Sequence, residues 1–412
     1  MIALDVSLVA LLVFCLGGFT AWFPVAAMVG WVLLLETSPE LWLANAAGRE
    51  TIIGIAKAAG LVLAVILGIR AGFKRDRYNP GFAFLFMFGV GLLHGLYPGL
   101  SLLESARSLI GSAAPFVFGF VKLPAAWRRA VVRAAIFGPA FAVGFWAVLN
   151  LAGQASMFSV EQGALRLGGP GEPPFLAGFA LIAIYALLLE LLARPKPADF
   201  WMLAVNFVIL LATGARAPLF LAAFVMVLAL LMPAPGLNAF RRIMILAGAG
   251  AAISLAVIFA GHLSFIRVVG LAQLGEAADL SNRDLVWPAF ERAIAASPWF
   301  GWGIGAGKVV VPVNSSLGAL IGTNAAHDEY LRIAAEGGAI GAALLLGLMV
   351  LWVWRGSAGL AYSRRMVLRL VLLAFAAHSA TDNTLIATTS SVLFMWMTAV
   401  FASAEEASTA AA

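Results

Sequence analysis

The sequence predicts an all-α polytopic integral membrane protein, on three observations. Of 412 residues, 63% are hydrophobic and only 11% charged, and mean hydropathy is +0.99; a soluble chain is nearer half apolar and a quarter charged. Apolar runs approaching the ~20 residues that cross a bilayer as a helix recur along the chain. Lys and Arg gather in alternate connections between those runs, the pattern of membrane topology. No basic run interleaved with exposed aromatics is present, so nucleic-acid partners are not expected, despite a net charge of +6.

Twelve runs qualify, near 3–36, 50–72, 80–97, 106–122, 132–152, 174–193, 199–213, 217–232, 241–260, 337–354, 366–382 and 386–402. The first is long for one helix and short for two crossings; Gly17, Gly18 and Pro24 can kink or break it, and it counts once. It lacks preceding basic residues and a clear A-x-A cleavage site, which reads as a retained segment. Cys15, the only cysteine, lies inside it and excludes disulfides and cysteine metal sites.

Sixteen cations fall in one set of connections: Arg70, Lys74, Arg75, Arg77; Lys122, Arg128, Arg129, Arg133; Arg194, Lys196; Arg241, Arg242; Arg355, Arg364, Arg365, Arg369. Five fall in the alternate set: Arg49, Lys57, Arg107, Arg166 and Arg216. The positive-inside rule places the first set and both termini in the cytoplasm. The chain then divides into residues 1–261 with about nine spans, a large extracytoplasmic loop at 262–335, and 336–412 with the last spans and a short cytoplasmic tail.

Within the loop, "SNRDLVWPAFERAIAASPWFGWGIGAG" predicts an amphipathic helix capped by Ser281 or Asn282, ending at Ser297-Pro298 before a glycine-rich turn. Leu285, Pro288, Ala289, Arg292, Ala293 and Ala296 are expected on one face, with Trp287, Phe290 and Ile294 on another. A second helix is expected from about Asp328 to Glu336, stopped by Gly337-Gly338.

Four arginines on the outer side run against the charge bias: Arg166, Arg216, Arg283 and Arg292. Each alone fits a side chain snorkelling to a headgroup; together they fit a phosphate site, because a guanidinium binds such oxygens bidentately. His327, Asp328 and Glu329 stand side by side before a span. They fit either a helix cap with a solvated acidic turn or a histidine held as proton acceptor near a helix N-terminus. Consecutive helical residues diverge too far to ligate one ion together. His378 and Asp382, four apart, are expected to pair across one turn, while His94 and His262 suit packing roles. Walker, dinucleotide, H-E-x-x-H and G-x-S-x-G motifs are absent, and Glu36, Glu40 and Glu50 form no closely spaced pair for a metal.

These elements resemble the O-antigen ligases and their polymerase and oligosaccharyltransferase relatives. The likeness rests on "RLGGPGEPPFLAGF", on "TGARAPLF", and on "NRDLVWPAFERAIAASPWFGWGIG" followed by "AHDEYLRIAAEGGAIG". It runs from about 160 to 385, and Asp328 stands where the family usually has Asn. The resemblance implies a GT-C-like membrane glycosyltransferase of the bacterial inner membrane with a periplasm-facing site. The donor would be an undecaprenyl-pyrophosphate-linked glycan and the acceptor lipid A–core. Transfer would be an inverting displacement without metal or cofactor. Arg166, Arg216 and Arg283 would bind the diphosphate, His327 would be catalytic, and Tyr330, His378 and Asp382 would support it. A polymerase or protein O-oligosaccharyltransferase of the same family is the nearer alternative. The short stretch after the last run favours a ligase. A lipid or solute transporter is the remoter one, since no internal repeat or paired interrupted helices are visible.

Overall fold

The computed structural model describes residues 14–43, 49–161, 164–169, 173–233, 237–260, 283–312, 315 and 325–411. These residues are mostly helical. Four helical segments are long and apolar enough to cross a membrane: Thr51–Ala71, Ala125–Leu151, Pro173–Ala193 and Glu329–Gly356. Four shorter apolar helices accompany them: Pro24–Glu36, Gly81–His94, Pro197–Thr213 and Arg216–Leu231.

In chain order, α1 (residues 14–22) leads into α2 (Pro24–Glu36), with the break at Phe23, where Pro24 opens a new helix. Then come α3 (Pro39–Trp42), α4 (Arg49–Ala71), α5 (Gly81–His94) and α6 (Leu102–Ala113). The 106–122 run is not one apolar α-helix. Its first part is the strongly amphipathic α6, capped by Ser101 and Glu104, and Ala114–Phe120 continues it as a 3₁₀ segment.

Next are α7 (Ala125–Leu151), a hairpin of β1 (Phe158–Glu161) and β2 (Ala164–Leu167), α8 (Pro173–Ala193), α9 (Pro197–Thr213), α10 (Arg216–Leu231) and α11 (Ala239–Ala260). The chain ends with α12 (Arg283–Ala296), α13 (Glu329–Gly356), α14 (Tyr362–Ser379) and α15 (Thr388–Ala411).

Helix α8 is apolar all round and buried along nearly its whole length, as a central helix must be. It packs against α7, α9, α10, α14 and α15. In lipid, apolar burial between helices gains little by transfer, so close packing and interhelical hydrogen bonds hold the bundle. One such bond crosses from α9 to α7: Asn206 Nδ2 donates to Ile136 O at 3.1 Å.

The basic connections share one face with the end of α15. Lys74 N donates to Phe120 O at 2.8 Å, and Lys122 N to Gly72 O at 3.0 Å. Lys74 pairs with Glu405 at 2.9 Å, and Arg128 donates to Ala402 O at 2.9 Å and pairs with Glu406. Two of the five cations assigned to the alternate connections are elsewhere: Arg107 is within α6, and Lys57 is inside α4, buried. A count of loop charges cannot distinguish these from loop residues.

Candidate active site

The candidate site lies at the end of the bundle opposite the basic connections, where the β-hairpin, the α9–α10 turn, α12, the start of α13 and the α14–α15 connection occur. Arg166, paired in register with Ser159, lies on β2 with its side chain buried. Its Nε donates to Thr213 O at 2.7 Å. That carbonyl belongs to the turn between α9 and α10, where Gly214 takes a left-handed conformation (φ 63°) and Ala215 N donates to Thr213 Oγ1. Arg216 follows as the first residue of α10 and is exposed. The structure therefore brings Arg166 against the turn that presents Arg216. The Arg283 backbone opens α12, while its side chain, like His262, lies outside the described residues.

Helix α12 buries Val286, Phe290 and Ala293, spaced four and three apart, and exposes Arg292. The buried stripe thus includes Phe290, which the sequence had set on a different face from Ala293. Trp287 Nε1 donates to Ala326 O at 3.0 Å, tying the helix to the residue before His327.

The segment Pro298–Gly305 lies along α13. Trp302 N donates to Ala335 O at 3.0 Å, Gly303 N to Glu336 O at 2.9 Å, and Ala339 N to Pro298 O at 2.8 Å. This contact needs two glycines. Gly338 sits at φ 60°, ψ −167°, kinking α13, and a Cβ there would meet the Trp299 backbone at 2.3 Å. A Cβ at Gly301 would meet the Glu336 backbone at 2.5 Å. The expected helix stop at Gly337-Gly338 is therefore a kink, after which the helix resumes. His94 packs on the same segment, its ring 6.1 Å from Phe300 and 6.2 Å from Trp302.

His327 precedes α13 in a left-handed conformation (φ 48°), unusual for a residue with a side chain. Asp328 is the N-cap: its carboxylate accepts from Tyr330 N at 2.8 Å and Leu331 N at 3.1 Å. The cap and the histidine thus have separate duties. Tyr330 OH donates to Ala376 O at 2.8 Å, which ties the start of α13 to the last turn of α14, two residues from His378.

Asp382 differs from expectation. Helix α14 ends at Ser379, so Asp382 meets His378 by charge from beyond the helix and not across a helical turn. Its carboxylate also faces His327, with Nδ1 at 3.6 Å from Oδ1, an ion-pair distance just beyond a hydrogen bond. Both side chains are about a third exposed (34% and 37%). Burial works against ionisation of Asp382. The neighbouring His327 and His378 imidazoles and the Asn383 N–H prevail and hold its carboxyl below the ordinary range.

Beneath this pair is a buried ion network that sequence reasoning passed over. Arg332 donates to Glu329 (Nε to Oε1, 2.9 Å) and Glu336 (Nη1 to Oε2, 2.7 Å), all three buried. Glu336 Oε1 also accepts from Gly307 N at 3.3 Å. The signal was present: residues 329, 332 and 336 have the i, i+3 and i, i+4 offsets of helical ion pairs.

The geometry supplies a histidine facing a carboxylate above a buried ion network and, separately, Arg166 against the turn that presents Arg216. The first can accept a proton, and the second can meet an anionic group. No curated protein matches the chain. A family match supports a membrane glycosyltransferase of the ligase and polymerase type, whose members use a lipid-linked glycan donor and a lipid acceptor. Over residues 201–346, from α9 through His327 into α13, the chain matches the family model described as O-antigen ligase.

Proposed function

We propose that the protein is an O-antigen ligase, transferring a glycan from undecaprenyl pyrophosphate to a sugar hydroxyl of lipid A–core at the periplasmic face of the inner membrane. The observation that carries this reading is the His327–Asp382 pair, whose histidine lies within the family match. The acceptor hydroxyl gives its proton to the His327 imidazole while its oxygen bonds to the anomeric carbon from the side opposite the diphosphate. The carbon–oxygen bond to the diphosphate breaks, inverting the anomeric centre. Asp382 stabilises the imidazolium. Arg166, Arg216 and Arg283 hold the diphosphate and meet its growing charge, a task that guanidinium groups perform without a metal. The depth fits as well: the polyprenyl tail keeps the diphosphate in the headgroup layer, so the base must stand at the membrane threshold.

The test compares lipopolysaccharide from cells with the protein, without it, and with His327→Ala. A ligase predicts loss of capped chains, with lipid-linked polymer retained, in both deficient strains. His327→Ala should lower transfer about 10²–10⁴-fold while donor binding persists. Shortened chains still capping the core would instead indicate a polymerase, and near-normal capping by His327→Ala would refute the assigned base.

A further inference from the structure

Lys57 is a buried cation inside a membrane-spanning helix, about two turns after Arg49 opens α4. Such a group is costly unless its donors are used. Its Nζ donates to Gly111 O at 3.2 Å and to Ile386 O. The first acceptor has a local cause: the residue four positions after Gly111 is Pro115, which has no N–H to give it. The second lies in the α14–α15 connection, four residues after Asp382. The charged groups acting on the ammonium are Lys308, Arg332, Glu329 and Glu40, and Glu329 is two residues after His327. Lys57 therefore bonds α6 to the segment that carries Asp382.

We infer that Lys57 is a positioning residue for the transfer reaction. Touching no substrate, it holds the 382–386 segment against α6, so that Asp382 stays beside His327. This rests on the reading of His327 and Asp382 proposed above. In that role Lys57 matters only as long as Asp382 has a carboxylate to place, which a merely structural lysine would not obey.

The test is a double-mutant cycle on purified, reconstituted full-length protein, with kcat and KM for the lipid-linked donor measured separately. Lys57→Met, of similar length without charge, should lower kcat about 5–30-fold with the donor KM unchanged. In the Asp382→Asn background the same change should cost less than about 2-fold, because the interaction it supports is already gone. Lys57→Arg should recover part of the rate. Equal losses in the two backgrounds, or a change confined to KM, would overturn the inference. Should Lys57→Met not fold, Lys57→Gln takes its place in the cycle with the same criteria; failure of all three variants to fold would assign Lys57 to structure alone and also overturn it. Normal turnover by Lys57→Met while His327→Ala is inactive sinks this inference only. Normal turnover by His327→Ala sinks the functional reading first.

Discussion

Replacing Asp382 by Asn removes one charge at nearly constant volume, and the structure sets the size of the effect. At 3.6 Å, an imidazolium and a carboxylate attract by about 1.2 kcal/mol in bulk water and about 4.6 kcal/mol at an effective dielectric of about 20. With each side chain about a third exposed, screening holds the net value near the aqueous end, about 1–2 kcal/mol. In the proposed step His327 becomes an imidazolium as it takes the acceptor's proton, so the loss is expected on kcat. It amounts to about 5–30-fold, with the donor KM unchanged. The assay is transfer from a lipid-linked donor by reconstituted protein, with saturation curves at several pH values. The sign of the pH effect follows from the lowered carboxyl. Relative to about 3.9 in an unfolded chain, its stabilising contribution is complete above that value and is lost as pH falls through the lower folded one. Asp382 therefore stays ionised from about pH 5 to 8, and any acid limb there belongs to another group and should persist in Asp382→Asn. A kcat within 2-fold of the wild type, or an acid limb abolished by the substitution, would refute the pairing argument.

The arginines should separate by burial. Arg216→Ala, at an exposed position, should weaken donor binding without altering thermal stability, and Lys should rescue it only partly for lack of the bidentate fork. Arg166→Ala should weaken binding and also lower the melting temperature, since it leaves the Thr213 carbonyl without its 2.7 Å donor; about 1–3 kcal/mol is typical for such an orphaned group. Gly338→Ala should be strongly destabilising. Its backbone region alone costs about 1–3 kcal/mol, and the Cβ meets the Trp299 backbone; reduced folded yield in detergent is the measurement. Transfer should continue in excess chelator if, as proposed, guanidinium groups carry the diphosphate charge; strict dependence on an added divalent ion would refute that role and redirect attention to Asp328, Glu329 and Asp382.

The features legible from the sequence are those set within one stretch of chain. Helical periodicity and length depend on neighbouring residues, so the helix of Pro173–Ala193, the break before Pro24, the Asp328 cap and the helix beginning at Arg283 were open to reading. The basic face was legible too, because loop charge is a property of composition. The kink at Gly338 was half legible: two glycines announced an interruption, but only packing of Trp299 against it explains why the helix bends and continues. Partners between helices were beyond it. Asp382 and His378 have a spacing that suits one helical turn, yet α14 ends before Asp382 and delivers it to a histidine 55 positions earlier. Lys57 looked like a loop cation until α4 placed it under the α14–α15 connection. Arg332 had visible helical partners, but its burial came from the segment packed over it. Spacing along a chain says which side chains share a face; which groups that face meets is decided by how the helices pack, and the ion pairs of this site form across those contacts.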